Sequence, residues 1–353
     1  MMTRRNYLRW LTEDTPTQWW HDSAIPEEIT AGLANGALGV TTNPVLTYKT
    51  LQARPAFWRE RVEEIPQSLA PEARAEALLR VVATHAAKAV EPVFVKTHGQ
   101  HGYAFGQLNP TAATDAPAML EMARRVAAWA PNLAVKLPTT QAGLEVMEEL
   151  AAGGVAICAT INFSVAQAVA VSESYRRGLR RARKNGVLVR PCFAVQQIGR
   201  LDDYLRDAAK DAKLDLTEAE LRQSGLAVAK RAYEIAEREG YEAVIMPAGL
   251  RGVYHLTELA GARMTFSLHP RVQQMILDAD PKPECRIAIP IEKKVIDRLR
   301  GLPEFVRAYE PDGLAPREFF TFGVAQKTLS QFVETGWAPL EVYGSNNASS
   351  RWT

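Results

Sequence analysis

Leu133-Ala134-Val135-Lys136-Leu137-Pro138 is an apolar run interrupted by a single lysine. Short apolar runs of this kind read as buried strands. Seven more occur along the 353-residue chain, at 18–22, 38–42, 103–108, 155–161, 187–192, 243–246 and 264–267, and 133–137 is the fourth in order. Helical patterns lie between them, at 27–33, 72–89, 116–130, 143–152, 165–184, 218–239 and 253–259. Eight strands alternating with helices predict a parallel α/β fold, most simply a (β/α)8 TIM barrel. A doubly wound open sheet is the alternative. No GxGxxG follows the first strand, which weakens a dinucleotide-binding reading. The barrel is expected over 1–280. A helical extension packed on it is expected over 281–343, with helices at 292–299, 304–309 and 316–332. A polar, flexible tail is expected over 344–353.

Strand parity assigns sides. Alternate side chains of a barrel strand point inward. With Lys136 inside, Val135 and Leu137 face the helices. In the next strand Val155, Ile157, Ala159 and Ile161 face outward. Ala156, Cys158 and Thr160 then face the interior. Thr160 is expected near the carboxyl end, level with Lys136, where barrel enzymes build their sites. A lysine in an apolar setting loses hydration and its pKa falls. The neutral amine is a nucleophile toward carbonyl carbon, so Lys136 is a candidate Schiff-base residue. The competing reading is a strand-end lysine that snorkels to water.

Bulk properties exclude several classes. Lys+Arg is 42 and Asp+Glu is 40, so no bulk charge draws the chain to nucleic acid or membrane. A basic run from Arg176 to Lys184 reads as a solvated helix end rather than an RNA-binding patch. The three cysteines, Cys158, Cys192 and Cys285, are widely spaced and odd in number, which fits a reducing cytoplasm. No clustered Cys/His spacing points to a metal. Met1 to Thr15 lacks a long apolar core, so no signal peptide is expected.

Other strands end in polar residues. Asp22-Ser23-Ala24 follows the first, Gly39-Val40-Thr41-Thr42-Asn43-Pro44 the second, and Gln107-Leu108-Asn109-Pro110 the third. Singly, each has a structural explanation. Asp22 could cap a helix near Pro26, Asn43-Pro44 could be a turn, and Gln107 and Asn109 could satisfy loop backbone. Further segments are Val135-Lys136-Leu137-Pro138-Thr139-Thr140 with Gly143, and Ala159-Thr160-Ile161-Asn162-Phe163-Ser164-Val165-Ala166-Gln167-Ala168. Gly199-Arg200-Leu201-Asp202-Asp203 and Ala248-Gly249-Leu250-Arg251 complete the set.

In order and approximate spacing these segments resemble the transaldolase family of class I aldolases over roughly residues 17–268. The resemblance implies that Lys136 forms an imine with a ketose phosphate. It implies Asp22 as the general base on the C4 hydroxyl, and Asn43 as a hydrogen-bonding partner of the bound dihydroxyacetone unit. It implies Thr160 as a positioner of the catalytic water, and Arg200 and Arg251 as the phosphate clamp. No cofactor or metal is implied, because the iminium is itself the electron sink. Sugar phosphates are the implied partners, and a homodimer is the default assembly.

The chain departs from the pattern in places. Typical transaldolases carry a glutamate where Gln107 falls. The fructose-6-phosphate aldolase branch has glutamine there, working with a tyrosine after the sixth strand. Pro191-Cys192-Phe193 offers no tyrosine. The loop between Pro191 and Arg200 looks about five residues longer than usual. Arg190 falls at a common serine and is expected either to add charge near the imine or to pair with a carboxylate. Gly249 replaces a serine near the phosphate. The segment from Val95 to His101 has no family counterpart and is expected to be a lid or a surface loop. Three functions stay open: dihydroxyacetone transfer, direct aldol cleavage of a possibly acidic sugar, and non-catalytic sugar-phosphate binding.

Overall fold

The computed structural model describes residues 6–345. Residues 1–5, and 346–353 of the expected tail, lie outside them. Seven strands form the wall: β1 (Gln18–His21), β2 (Ala104–Gln107), β3 (Leu133–Pro138), β4 (Ile157–Asn162), β5 (Cys192–Gln196), β6 (Val244–Pro247) and β7 (Thr265–Leu268). β2 through β6 pair in sequence order, and β7 pairs with β1, all parallel. The expected strand at 38–42 contributes one residue. Val40 bridges His21 of β1 and Ala104 of β2. Gly39 explains the close approach there, since a Cβ on it would lie 2.4 Å from the Trp20 ring. With β7 packed beside β6, the ring closes through eight positions as a (β/α)8 barrel.

The sixth strand differs from the expectation. It runs Cys192–Gln196, not 187–192. Two apolar runs lie close together, and burial chooses between them. Every residue of β5 is buried, whereas Leu188 is 70% exposed. The apparent five-residue insertion before Arg200 is therefore mostly strand. Other boundaries shift less. The pattern at 218–239 splits into Glu218–Leu221 and Ser224–Glu239. The pattern at 72–89 extends to Pro71–Lys96, so Val95 and Lys96 close a helix. Five helices went unread before the extension: Tyr7–Asp14, Pro44–Ala53, Pro55–Glu63, Ile198–Asp211 and Pro270–Ala279.

Parity holds where the strands were placed correctly. Trp20, Phe105, Ala134, Cys158, Phe193 and Met246 form an interior cluster, while Val135, Leu137, Ile157, Ala159 and Ile161 pack into the outer layer. Aromatic rings plug the barrel. Trp20 lies 4.6 Å from Phe193 and 5.2 Å from Phe105, centroid to centroid. This plug separates the two mouths. The basic run meets acidic neighbours: Arg177 pairs with Glu148, Arg181 with Glu149 and Arg183 with Glu242. That is the solvated helix end expected of it.

After Pro270–Ala279 the chain adds Lys293–Leu299, Pro303–Tyr309 and Gly323–Phe332, then a π-type turn, Val333–Trp337, and Ala338–Val342. Phe322, at the start of that segment, stacks edge-on against Tyr204 of Ile198–Asp211 at 5.8 Å. Its far end packs on Pro44–Ala53, where Tyr343 Oη donates to Leu51 O. Among the described residues no helix is long and apolar enough to cross a membrane.

Removing the largest ring of the plug tests its weight. Trp20→Ala is expected to cost about 3–5 kcal/mol, the usual range for a buried tryptophan. Urea unfolding monitored by circular dichroism measures it, and a loss under about 1 kcal/mol would show that the interior is not packed as described.

Candidate active site

Lys136 sits near the carboxyl end of β3 and is buried, 6% exposed. Its Nζ donates to the Thr42 carbonyl at 2.9 Å and lies 5.6 Å from the centre of the Phe105 ring. Burial pushes its pKa below the ordinary lysine value, and the nearby Arg200 adds to the shift; Cys158 and Asp22 oppose it. The snorkelling alternative is excluded by this burial. Cys158, level with Lys136 on β4, keeps its proton because burial raises its pKa to about 12.

Asp22 follows β1 and lines the same chamber. It does not cap the helix Pro26–Ala34, whose N-cap is Ile25. Instead Thr41 Oγ1 donates to Asp22 Oδ1 at 2.5 Å, and Thr41 also bonds Ser267 at 2.7 Å. The carboxylate is thus fixed through one oxygen and keeps the other for a ligand. His21, one residue earlier, is no rival base. It lies against Gly32 and Gln273, outside the interior cluster, and burial lowers its pKa.

Asn43 does both things its position allows. Its Oδ1 caps Pro44–Ala53 by accepting from Leu46 N at 2.9 Å, and the residue lines the chamber. Its NH2 donors are free of that capping bond. Asn109 is purely structural, bonding Thr111 and Glu72. Gln107 lies beside Lys136 in the β2–β3 register and is 3% exposed, with no partner for Oε1.

Thr160 is fully buried with an unpartnered Oγ1. It pairs with Pro138, two residues above Lys136, rather than lying level with it. Directly after it, Ile161 adopts φ of +57°, a left-handed conformation that strains a β-branched residue. The cost is on the order of 1–3 kcal/mol and needs surrounding structure to hold it. Gln167 supplies that hold. Its Nε2 donates to Ile161 O (2.8 Å) and Thr139 O (3.2 Å), while its Oε1 accepts from Phe163 N (2.9 Å) and Ser164 Oγ (3.2 Å). This clamp explains Phe-Ser-x-Ala-Gln-Ala: Ser164 caps Val165–Lys184 and places Gln167 under the strand end. Gly143 has a similar reason. A Cβ there would lie 2.0 Å from Pro138 O.

Arg200 and Arg251 come together with Asp22 and Asn43 around a vestibule of about 520 Å³. Asp22, Asn43 and Arg200 also line the inner chamber, which is about 80 Å³. Arg251 is held by Asp203 Oδ2 (2.7 and 2.9 Å), and its backbone N donates to His255 Nδ1. His255 Nε2 in turn bonds the buried Asp202 at 2.9 Å. Burial beside Arg251 lowers the Arg200 pKa. Lys49, His269 and Arg271 line the vestibule too, so it is strongly cationic.

Arg190 is not part of this site. It precedes β5 at the amino-terminal mouth, its guanidinium 5.4 Å from the Phe94 ring and pressed against Gly99. The aromatic plug lies between it and Lys136. Its expected place near the imine followed from the misplaced sixth strand, and so did its expected effect on substrate charge. Among the described residues it has no carboxylate partner either; it contacts Tyr103. The segment from Val95 to His101 lies at that same mouth, so it is no lid over Lys136. The residue that does follow the sixth strand into the chamber is Gln197, 6% exposed with a free Oε1, not Pro191-Cys192-Phe193. Thr41, Gln167, Gln197 and Phe332 are site-building residues the sequence left without roles. Thr41 and Gln167 stood within quoted motifs; Gln197 was hidden by the strand error, and Phe332 had no local signal.

The family model described as Transaldolase/Fructose-6-phosphate aldolase matches residues 19–296. A transaldolase of Thiobacillus denitrificans is 32% identical over 186 residues, covering 51% of this chain and 50% of the relative. Transaldolase 2 of Streptomyces avermitilis is 28% identical over 240 residues, 64% of this chain and 62% of the relative. A probable transaldolase of Dehalococcoides mccartyi is 28% identical over 240 residues, covering 68% and 80%. The chain spans 50–62% of the length of the first curated relatives it matches. With the family match reaching from β1 past β7 and enclosing Lys136, Asp22 and both vestibule arginines, the chain belongs to the transaldolase/fructose-6-phosphate aldolase family.

Proposed function

We propose that this chain is a Schiff-base enzyme that transfers a dihydroxyacetone unit between sugar phosphates. One observation carries the reading: a dehydrated lysine amine shares a chamber with a single carboxylate, at the foot of a cationic vestibule. Lys136 attacks the ketone carbon of the donor, water leaves, and an iminium forms. Asp22, held by Thr41, takes the C4 hydroxyl proton through its other oxygen. The C3–C4 bond breaks, its electrons enter the iminium, and the aldehyde departs. The three-carbon enamine on Lys136 then attacks an acceptor aldehyde, the proton returns from Asp22, and hydrolysis frees the amine.

Asn43 donors and Gln107 suit the hydroxyls of the bound unit. Thr160 and Gln107 suit a positioned water, which an amide can hold but cannot deprotonate. Arg200 and Arg251 suit the phosphate, where a guanidinium fork matches the oxygens. A reducing cytoplasm suits the unpaired Cys158 and Cys192. One observation favours a second reading. Gln197 in the chamber and Gln107 beside Lys136 in register are amides that hold a water without deprotonating it, so direct aldol cleavage is the alternative. The two readings separate on whether cleavage of a ketose phosphate requires an added acceptor aldehyde.

Borohydride with dihydroxyacetone or fructose 6-phosphate is expected to add a stable mass at Lys136, located by peptide mass spectrometry and absent in Lys136→Ala. An unmodified lysine would leave only a binding role. Arg200→Ala removes charge-assisted hydrogen bonds worth about 1.5–3 kcal/mol. KM for a phosphorylated donor should therefore rise roughly ten- to hundredfold, with kcat changed less. An unchanged KM would take Arg200 out of the phosphate clamp.

The lowered lysine pKa also has a stability consequence. The folded state releases its proton at a lower pH than the unfolded chain, so between the two values the unfolded state binds more protons. Stability contributed at this site therefore rises with pH up to the ordinary lysine value, about 10.4. Lys136→Met should be more resistant to urea than the wild type at pH 7, and the gap should narrow as pH rises. A gap constant with pH would contradict the desolvation described.

A further inference from the structure

The C-terminal segment crosses the carboxyl mouth of the barrel. Helix Gly323–Phe332 starts beside Tyr204, on the helix that follows β5. Lys327 pairs with Asp207 of the same helix at 3.0 Å. The π-type turn Val333–Trp337 then meets the start of Pro44–Ala53. Gly336 allows the contact, since a Cβ on it would lie 2.7 Å from Val45 N and 2.9 Å from the Pro44 carbonyl carbon. The segment thus straps the loop after β5 to the loop carrying Asn43. Past the turn, Arg74 Nε donates to Tyr343 O at 2.8 Å and anchors the end.

Two side chains at the end of that helix reach the site. Phe332, 2% exposed, lines both the inner chamber and the vestibule, and its ring lies 5.7 Å from the Arg200 guanidinium. Gln331 Oε1 accepts from Arg200 Nη1 at 2.5 Å. Among the described residues no carboxylate is hydrogen-bonded to Arg200, so a neutral amide orients it, and Asp22 and Asp203 reach its charge only through space. Both residues lie beyond residue 296, where the family match ends. An i+5 turn inside a helix costs regular hydrogen bonding, and such turns often sit at functional sites. Here it follows directly on Phe332.

We propose that this strap completes the active site: Phe332 roofs the enamine against bulk solvent, and Gln331 positions Arg200 for an anionic substrate. The inference rests on the Schiff-base reading and adds the roof to it. The enamine on Lys136 has two fates. It can attack the acceptor aldehyde. Or its carbon can take a proton from water, after which hydroxide adds to the resulting iminium carbon and expulsion of the lysine amine releases dihydroxyacetone. The hydrolysis that frees the amine is common to both fates and can use the single water suited to Thr160 and Gln107; only protonation of the enamine carbon separates them, and it needs bulk water at the chamber. An apolar ring over it disfavours that protonation and commits the unit to transfer.

The test uses the full chain and measures, for fructose 6-phosphate with saturating acceptor aldehyde, the ratio of transfer product to free dihydroxyacetone. Phe332→Ala should lower that ratio several-fold, while Phe332→Leu, which keeps an apolar cover, should restore most of it. Gln331→Glu places a carboxylate on Arg200 in competition with phosphate. It should raise KM for the phosphorylated donor several-fold with kcat little changed, whereas a merely structural role predicts no change. If Phe332→Ala does not fold, Phe332→Gln, which keeps the bulk and admits water, takes its place and should lower the ratio several-fold against Phe332→Leu, while the exposed Gln331→Glu is read independently. A wild-type ratio in the Ala or Gln variant, or an unchanged KM in Gln331→Glu, overturns the corresponding part. The Lys136 borohydride adduct is measured alongside. Its absence in the wild type would sink the Schiff-base reading itself, while its presence with unmoved ratio and KM would sink only the strap.

Discussion

Burial of one amine is the constraint on which the rest of the site depends. Lys136 Nζ has a single protein hydrogen-bond acceptor, the Thr42 carbonyl, above an aromatic floor. That setting cannot hydrate an ammonium fully, so it favours the neutral, nucleophilic amine. The floor must therefore be dry and closely packed. Trp20, Phe105 and Phe193 make it so, and Gly39 lets the second strand approach close enough to put Thr42 O over the barrel. The same carbonyl-bearing residue is tied back by its hydroxyl to Phe105 O. The nucleophile, its partner and the floor beneath it are one interlocked unit.

Around that unit, the loops at the strand ends are set by capping rather than by bulk packing. Asn43, Thr140 and Ser164 each cap the helix that leaves the barrel after their strand. Capping of this kind is worth about 0.5–2 kcal/mol per site and fixes where each helix begins. Gln167 goes further by spanning β3 and β4 and holding the strained Ile161. The strain and the clamp belong together: a left-handed isoleucine persists only where its carbonyl and the following amide are satisfied elsewhere. Its effect is to redirect the strand just past Thr160, leaving that hydroxyl inside.

Charge in the vestibule is arranged asymmetrically. Arg251 is neutralised by Asp203 and located by the Asp202–His255 pair through its backbone. Among the described residues Arg200 hydrogen-bonds an amide and faces an aromatic ring, without a direct carboxylate contact. Adjacent cations with one free of a direct ion pair make an anion the natural occupant. Gly249 brings no hydroxyl to this region, and Lys49 and Arg271 extend the positive field outward.

Much of this was legible in order along the chain. Period-two alternation in 133–138 and 155–161 put Lys136, Cys158 and Thr160 on one face, because strand geometry leaves no other choice. The polar residues closing β1, Val40 and β2 each had a structural explanation when taken singly, and it was their joint resemblance to the transaldolase family that singled out Asp22, Asn43 and Gln107. The sixth strand was not legible: Val187-Leu188-Val189 and Cys192-Phe193-Ala194-Val195 are equally apolar, and only packing decides which is buried. That ambiguity carried Arg190 to the wrong mouth and hid Gln197. The sequence by itself determined the fold class and the inward lysine, since these follow from local periodicity, and its motif segments carried the resemblance that singled out the other site residues. Tertiary structure alone decided how dry the lysine is, that Thr41 rather than a helix end holds Asp22, and that residues 331 and 332 come to Arg200. Those are contacts across long stretches of chain, and no local spacing encodes them.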